Sequence, residues 1–104
     1  MASGAKNREK LVEFLDEKVF DPILKASGDE TKLGHLKRST ENEKRRYHDE
    51  YRTASDVRNN YLSDLDSESG KRISRELEGV GLPTLPQVKG EFMKLCEELG
   101  VGPR

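Results

Sequence analysis

The stretch with the most acid donors at metal-binding spacing is DLDSESG, Asp64 to Gly70. A calcium-binding EF-hand loop takes ligands at its first, third and fifth positions. It also needs Gly at the sixth and a bidentate Glu at the twelfth. Counted from Asp64, carboxylates fall at Asp64, Asp66 and Glu68, but the sixth position is Ser69, Gly70 comes one late and the twelfth is Arg75. Without the sharp turn and the bidentate ligand, the stretch reads as a capped turn between helices.

The remaining reactive side chains are sparse. His35 and His48 are the two histidines. Thirteen residues apart on one helix, they would stand about 20 Å from each other. Neither has a histidine or glutamate at the spacing a helical metal site uses, so both read as surface residues. Cys96 lies at helical spacing from Phe92 and Leu99 and has no evident general base, so it reads as a buried thiol. No G-x-S-x-G, no G-x-G-x-x-G and no phosphate-binding loop is present. The chain is therefore expected to be non-enzymatic, with no catalytic residues, no cofactor and no metal.

Basic residues offer a different chemistry. Between Lys32 and Arg58 there are eight, among five acids. Arg38, Lys44, Arg45, Arg46 and Arg52 form the candidate interaction surface. Arg38, Arg45 and Arg52 are seven apart, and on one continuous helix they would share a face able to track phosphates. The competing reading is that these cations pair with acids three or four residues away, as Asp49 would with Arg45 or Arg52. Such pairs contribute about 0.2–0.5 kcal/mol each. Mixed pairing is preferred here. The C-terminal third also has the outline of a helix-turn-helix. Its second helix would offer Gln87 and Lys89 as donors, but Glu91, Glu97 and Glu98 make it acidic and its turn is long. A helical hairpin closing the core is preferred.

The elements that must position these residues are all helices. Leu11, Val12, Leu15, Val19 and Ile23 recur at helical period, with Phe14, Phe20 and Leu24 beside them. Asp21-Pro22 interrupts this run, so either a second short helix starts there or one helix kinks. Ser27 and Glu30 have capping-box spacing, as do Thr40 and Glu43, and Thr84 and Gln87. Leu33 and Leu36 anchor the next helix. The segment Ser39–Leu65 reads as one long charged helix, or as two helices across 30–64, with a narrow stripe of Tyr47, Tyr51, Ala54, Val57, Tyr61 and Leu65. Ile73 and Leu77 mark a short helix that Gly79 should end. Val88, Phe92, Leu95, Cys96 and Leu99 form the apolar face of a last helix, ended by Gly100. No alternating apolar run suggests a strand.

Composition agrees. Of 104 residues, 32% are hydrophobic and 38% charged, yet 19 basic residues nearly cancel 20 acidic ones. Low hydrophobicity with balanced charge suits solvated helix faces better than disorder. A pI near 6.1 argues against general nucleic-acid binding. One cysteine, no apolar leader and no membrane-length apolar run point to a cytoplasmic protein. The expectation is an all-α chain: a small helical bundle of three to five helices with a long charged central helix. Residues 1–104 make one domain with frayed ends at 1–5 and 101–104. The helices should lie near 6–25, across 30–64, and at about 68–78 and 85–99. Its function is expected to be a protein–protein interaction or accessory module, with an unknown protein partner or itself as a homodimer through the Tyr-lined helix. Nucleic acid is the alternative partner, and no membrane is expected.

Overall fold

The computed structural model describes residues 2–27 and 33–103. The described chain is a small all-α bundle, and among the described residues there is no strand. Helix α1 (Ala2–Leu15) passes through a π turn (Asp16–Phe20) directly into α2 (Asp21–Ala26). Then come α3 (Gly34–Asp49), α4 (Ala54–Asp66), α5 (Glu68–Gly79) and, after a 3-10 turn (Pro86–Val88), α6 (Lys89–Leu99). The α1–α2 rod would be about 37 Å long as regular helix. The body measures 44 × 21 × 19 Å.

A second helix does start at Asp21 with Pro22 in its first turn, but it continues α1 without a break. The backbone keeps right-handed helical angles through Leu15, Phe20 and Asp21, and the Asp21 N–H bonds back five residues to the Asp16 carbonyl. One widened turn before the proline absorbs its missing N–H, and the apolar stripe continues through Val19, Phe20 and Ile23, all buried. The capping box expected at Ser27 and Glu30 has its second member outside the described residues. Ser27 instead bonds backwards, its Oγ donating to the Ile23 carbonyl at 2.8 Å.

The long central helix is two helices. No new start occurs at Thr40, which is buried mid-way along α3. The chain leaves α3 at Glu50 and restarts at Ala54. Two features missing from the periodic reading explain the break. Thr53 caps α4 through its Oγ1, which accepts from the Asp56 N–H at 3.0 Å, while the Asp56 carboxylate accepts from the Thr53 N–H at 3.3 Å. Arg8, reaching across from α1, closes the end of α3. It donates from Nε to the Tyr51 carbonyl at 2.5 Å and from Nη2 to the Tyr47 carbonyl at 3.0 Å, and also to the His48 carbonyl. A guanidinium on the negative end of a helix satisfies orphan carbonyls and complements the dipole. Arg8→Ala is therefore expected to destabilise the fold by about 2 kcal/mol. Thr53→Ala should cost about 1 kcal/mol. Urea melts of the two variants would check both, and equal midpoints to the parent would show that the break needs neither cap.

One residue, Ser67, separates α4 from α5. Its backbone is extended, and its Oγ accepts from the Gly70 N–H while donating to the Asp64 carbonyl. The corner is so tight that a Cβ on Gly70 would lie 2.1 Å from the Asp64 carbonyl oxygen. After α5 the left-handed residue is Gly81 (φ 75°) and not Gly79. At the end of α6, Gly100 (φ 71°) takes the expected left-handed cap, and the Val101 N–H bonds to the Cys96 carbonyl at 2.8 Å. α1 starts at Ala2, and the Pro103 carbonyl accepts from Asn59 Nδ2 at 2.8 Å.

Two aromatic clusters anchor the core. Phe92 of α6 stacks on Tyr61 of α4 at 4.1 Å and meets Phe14 of α1 at 6.0 Å. Phe20 of the π turn meets Tyr47 of α3 at 5.6 Å, and Tyr51 stands edge-on to Tyr47 at 4.9 Å. Leu11, Leu15, Leu36, Val57, Leu77 and Val88 fill the space around them, joined by Val12 and Cys96. Leu24, expected in the core, is only half-buried and outside the cluster.

Candidate functional site

The basic surface does not assemble as one face. Arg38 and Arg45 are exposed on α3, but Arg52 lies beyond its end, in the link to α4. The seven-residue spacing had assumed a continuous helix. Lys44 Nζ donates to Asp21 Oδ1 at 2.6 Å, Arg46 Nη1 to Glu43 Oε1 at 2.9 Å, and Arg45 Nη2 to Asn42 Oδ1 at 3.2 Å. The Asp21 contact raises the pKa of the Lys44 ammonium. The expected Asp49 pairs with Arg45 or Arg52 are not formed. Of these cations, Lys44 and Arg46 are paired with acids, Asp21 and Glu43. The histidines join elements as well: His35 of α3 reaches Glu76 of α5 at 3.1 Å, and His48 reaches Asp16 of the π turn at 2.6 Å.

The tyrosine stripe is used inside the chain. Tyr47 and Tyr61 are fully buried within the chain, and Tyr51 is half-buried. The proposed DNA-reading hairpin is also arranged differently. α5 rests chiefly on α4, and α6 chiefly on α1.

What the fold does build is a cleft of about 270 Å³ under α5. Its apolar wall is Val19 and Phe20 from the π turn, Ile23 from α2, and Ile73 and Leu77 from α5. Its polar side is Glu43 and Arg46 from α3, Asp64 from α4 and Arg72 from α5, with the Ser67 corner at one end. Tyr47 fixes Asp64, its hydroxyl donating to Oδ2 at 2.8 Å. Burial holds that phenol protonated well beyond its usual range, and the neighbouring Asp64 carboxylate adds to the effect.

Glu43 and Asp64 lie within hydrogen-bonding reach of each other. Burial, then the Asp64 charge and the bond to it, push the Glu43 carboxyl up to about 7, against the opposing pull of Arg46. Glu43 Oε2 is buried and has no partner if both groups are bare carboxylates. Keeping its proton spares Glu43 the cost of a buried, unpaired carboxylate oxygen beside a second acid. The cleft therefore sets two neighbouring carboxyls, Glu43 and Asp64, beside Arg46, Arg72 and an apolar wall.

No family model matches the chain, and neither a curated protein nor a solved structure is similar to it. The cleft's chemistry rests on its own residues. Of the candidate interaction residues read from sequence, only Arg46 lines it. Asp64 was weighed only as a calcium ligand and Glu43 only as a capping residue, and Arg72 was passed over, although Glu43 carried a further signal. It falls on the inward stripe of α3, at Leu36, Thr40, Glu43 and Tyr47, in steps of four, three and four. A carboxyl on the apolar side of a helix needs a partner or a proton.

Proposed function

We propose that this protein is a non-enzymatic binding module that works through the cleft beneath α5. The observation that carries this reading is the convergence, in one cleft, of an apolar wall with Glu43, Asp64, Arg46 and Arg72. A concave apolar site with a few convergent polar groups, one of strongly shifted pKa, is the usual form of a binding site. A volume of about 270 Å³ lies just below the range of about 300–1,000 Å³ that drug-sized ligands occupy, which favours a small occupant.

The same acid–carboxylate pair could be read as acid–base machinery. Its surroundings favour binding. Both histidines are engaged away from the cleft, with Glu76 and Asp16, and no histidine or lysine lines it beside its serines. Nucleic-acid binding finds little support, because Lys44, Arg45 and Arg46 are each engaged within the chain. A fluorescence-anisotropy titration with mixed-sequence DNA and RNA at low salt is expected to show no saturable binding. A steeply salt-dependent signal would favour phosphate contacts instead.

The direct test is amide mapping by NMR against a set of small amphiphiles. Saturable shifts should gather at Phe20, Glu43, Asp64 and Ile73. Ile73→Trp, placing bulk at the half-buried wall of α5, should abolish them. Shifts scattered over the surface, or unchanged by Ile73→Trp, would remove the cleft as the site.

A further inference from the structure

We infer that α5 is a hinged lid over the cleft. It detaches from the bundle as a unit, pivoting at Ser67 and Gly81, and so uncovers the apolar wall. The purpose of this motion rests on the binding role proposed above, whereas the motion itself follows from how α5 is held. Phe20 is 2% exposed, and Val19 and Ile23 are 1% exposed, so a ligand seated on them has to displace what covers them. The cleft lies between these three and Ile73 and Leu77 of α5. Its other walls are tied to one another. Tyr47 of α3 bonds to Asp64 of α4, and Arg8 of α1 holds the end of α3. Movement is left to α5.

Burial holds a helix roughly in proportion to the apolar area it covers. In α5 only Leu77 is buried, whereas α3 and α4 each bury three residues. α5 rests chiefly on α4, its neighbour in the chain. Among the described residues, one side-chain bond ties it to another helix. His35 of α3 meets Glu76 at 3.1 Å, with side chains 61% and 42% exposed. An exposed pair of this kind is a weak latch. Both ends of the lid are defined. Ser67 is a one-residue corner, its Oγ bonded to the Asp64 carbonyl and the Gly70 N–H. Beyond the other end Val80 is exposed and Gly81 is left-handed. The chain is pinned again where the Tyr61 hydroxyl donates to the Leu85 carbonyl. A lightly buried segment between two fixed points has the low local stability from which lids are drawn.

A helix of 12 residues is marginal in water once detached, so α5 should unwind and exchange its amide protons whenever it opens. Hydrogen exchange in low urea is the test. The Ser74 and Leu77 amides should exchange about tenfold or more faster than those of Tyr47 and Tyr61, with little dependence on urea. Phe92→Leu loosens the packing of α6 on α1 and α4. It should speed the Tyr47 and Tyr61 amides and leave the α5 amides unchanged. His35→Ala should speed the α5 amides about two- to fivefold. Val19→Cys, treated with a small thiol reagent, should be labelled through the same opening and respond to both substitutions in the same way. α5 amides as slow as those of Tyr47 and Tyr61, or hastened with them by Phe92→Leu, would overturn the lid. No effect of His35→Ala on α5 would overturn the latch. A Val19→Cys thiol that reacts only on global unfolding would overturn the uncovering of the wall. None of these measurements needs a ligand. An α5 that opens over a cleft binding no amphiphile would leave the lid standing and end the binding role.

Discussion

Phe92→Ala is expected to destabilise the protein by about 3–5 kcal/mol, the range for removing a fully buried aromatic ring. Phe92 is wholly buried and, among the described residues, is the only one touching aromatic rings on both α1 and α4. Its ring stacks on Tyr61 at 4.1 Å, and Tyr61 is itself fixed by donating its hydroxyl to the Leu85 carbonyl at 2.5 Å. Deleting the ring therefore opens a cavity and frees a neighbour whose polar end is anchored in the linker before α6. For a single domain of this size, such a loss is a large fraction of a typical total of about 5–15 kcal/mol. Phe92→Leu keeps most of the volume and should cost less than half as much. Urea melts of the two variants check this, and an alanine variant within about 1 kcal/mol of the parent would show that α6 does not close the core.

The second large effect is a dependence of stability on pH set by Glu43. Its folded carboxyl titrates at about 7, against 4.5 for the ordinary side chain. The native state therefore holds a proton that the unfolded state has released throughout that window. Stability is full below pH 4.5 with respect to this group, falls as pH rises to 7 and is level above it. The shift has a ceiling of about 3 kcal/mol, and relaxation of a side chain that is 29% exposed should leave about 1–2 kcal/mol. Glu43→Gln can still donate to Asp64 and cannot ionise. It is expected to exceed the parent's stability at pH 8 by that amount and to match it near pH 4.5. Chemical melts across pH 4.5–8 measure the difference, and parallel pH curves for the two proteins would show that Glu43 is ionised throughout.

Periodicity made the helical layout and most of the core legible, because burial of one stripe per helix is what orders a chain this poor in apolar residues. Leu11, Leu15, Val19, Tyr47, Val57, Tyr61 and Phe92 were all placed inward on spacing alone, and all are buried. The break between α3 and α4 was not legible in the same way. A tyrosine stripe runs on across it in unbroken register, and one of the caps that causes it comes from Arg8, 43 residues before Tyr51. The Thr53–Asp56 box was not read, because it stands inside a segment whose periodicity argues for continuation. The basic cluster illustrates the limit of counting charges. Its members looked alike in sequence, and only the packing of α2 beside α3 gives Lys44 its Asp21. The cleft needed three separate helices to bring Glu43, Asp64 and Arg72 together, and no spacing rule joins residues of different helices.

The position of α1 has a consequence for how the chain comes to fold during synthesis. α1 emerges first, yet it lies against α4 and α6, and Asn7 donates to the Leu99 carbonyl 92 residues later. Part of its apolar stripe must wait, uncovered, until α4 and α6 have been made. Closing so long a loop is slow relative to the local helical contacts around it. The first helix is then the natural client for a holding chaperone, and the native state should arrive in one late cooperative step instead of growing from the N-terminus.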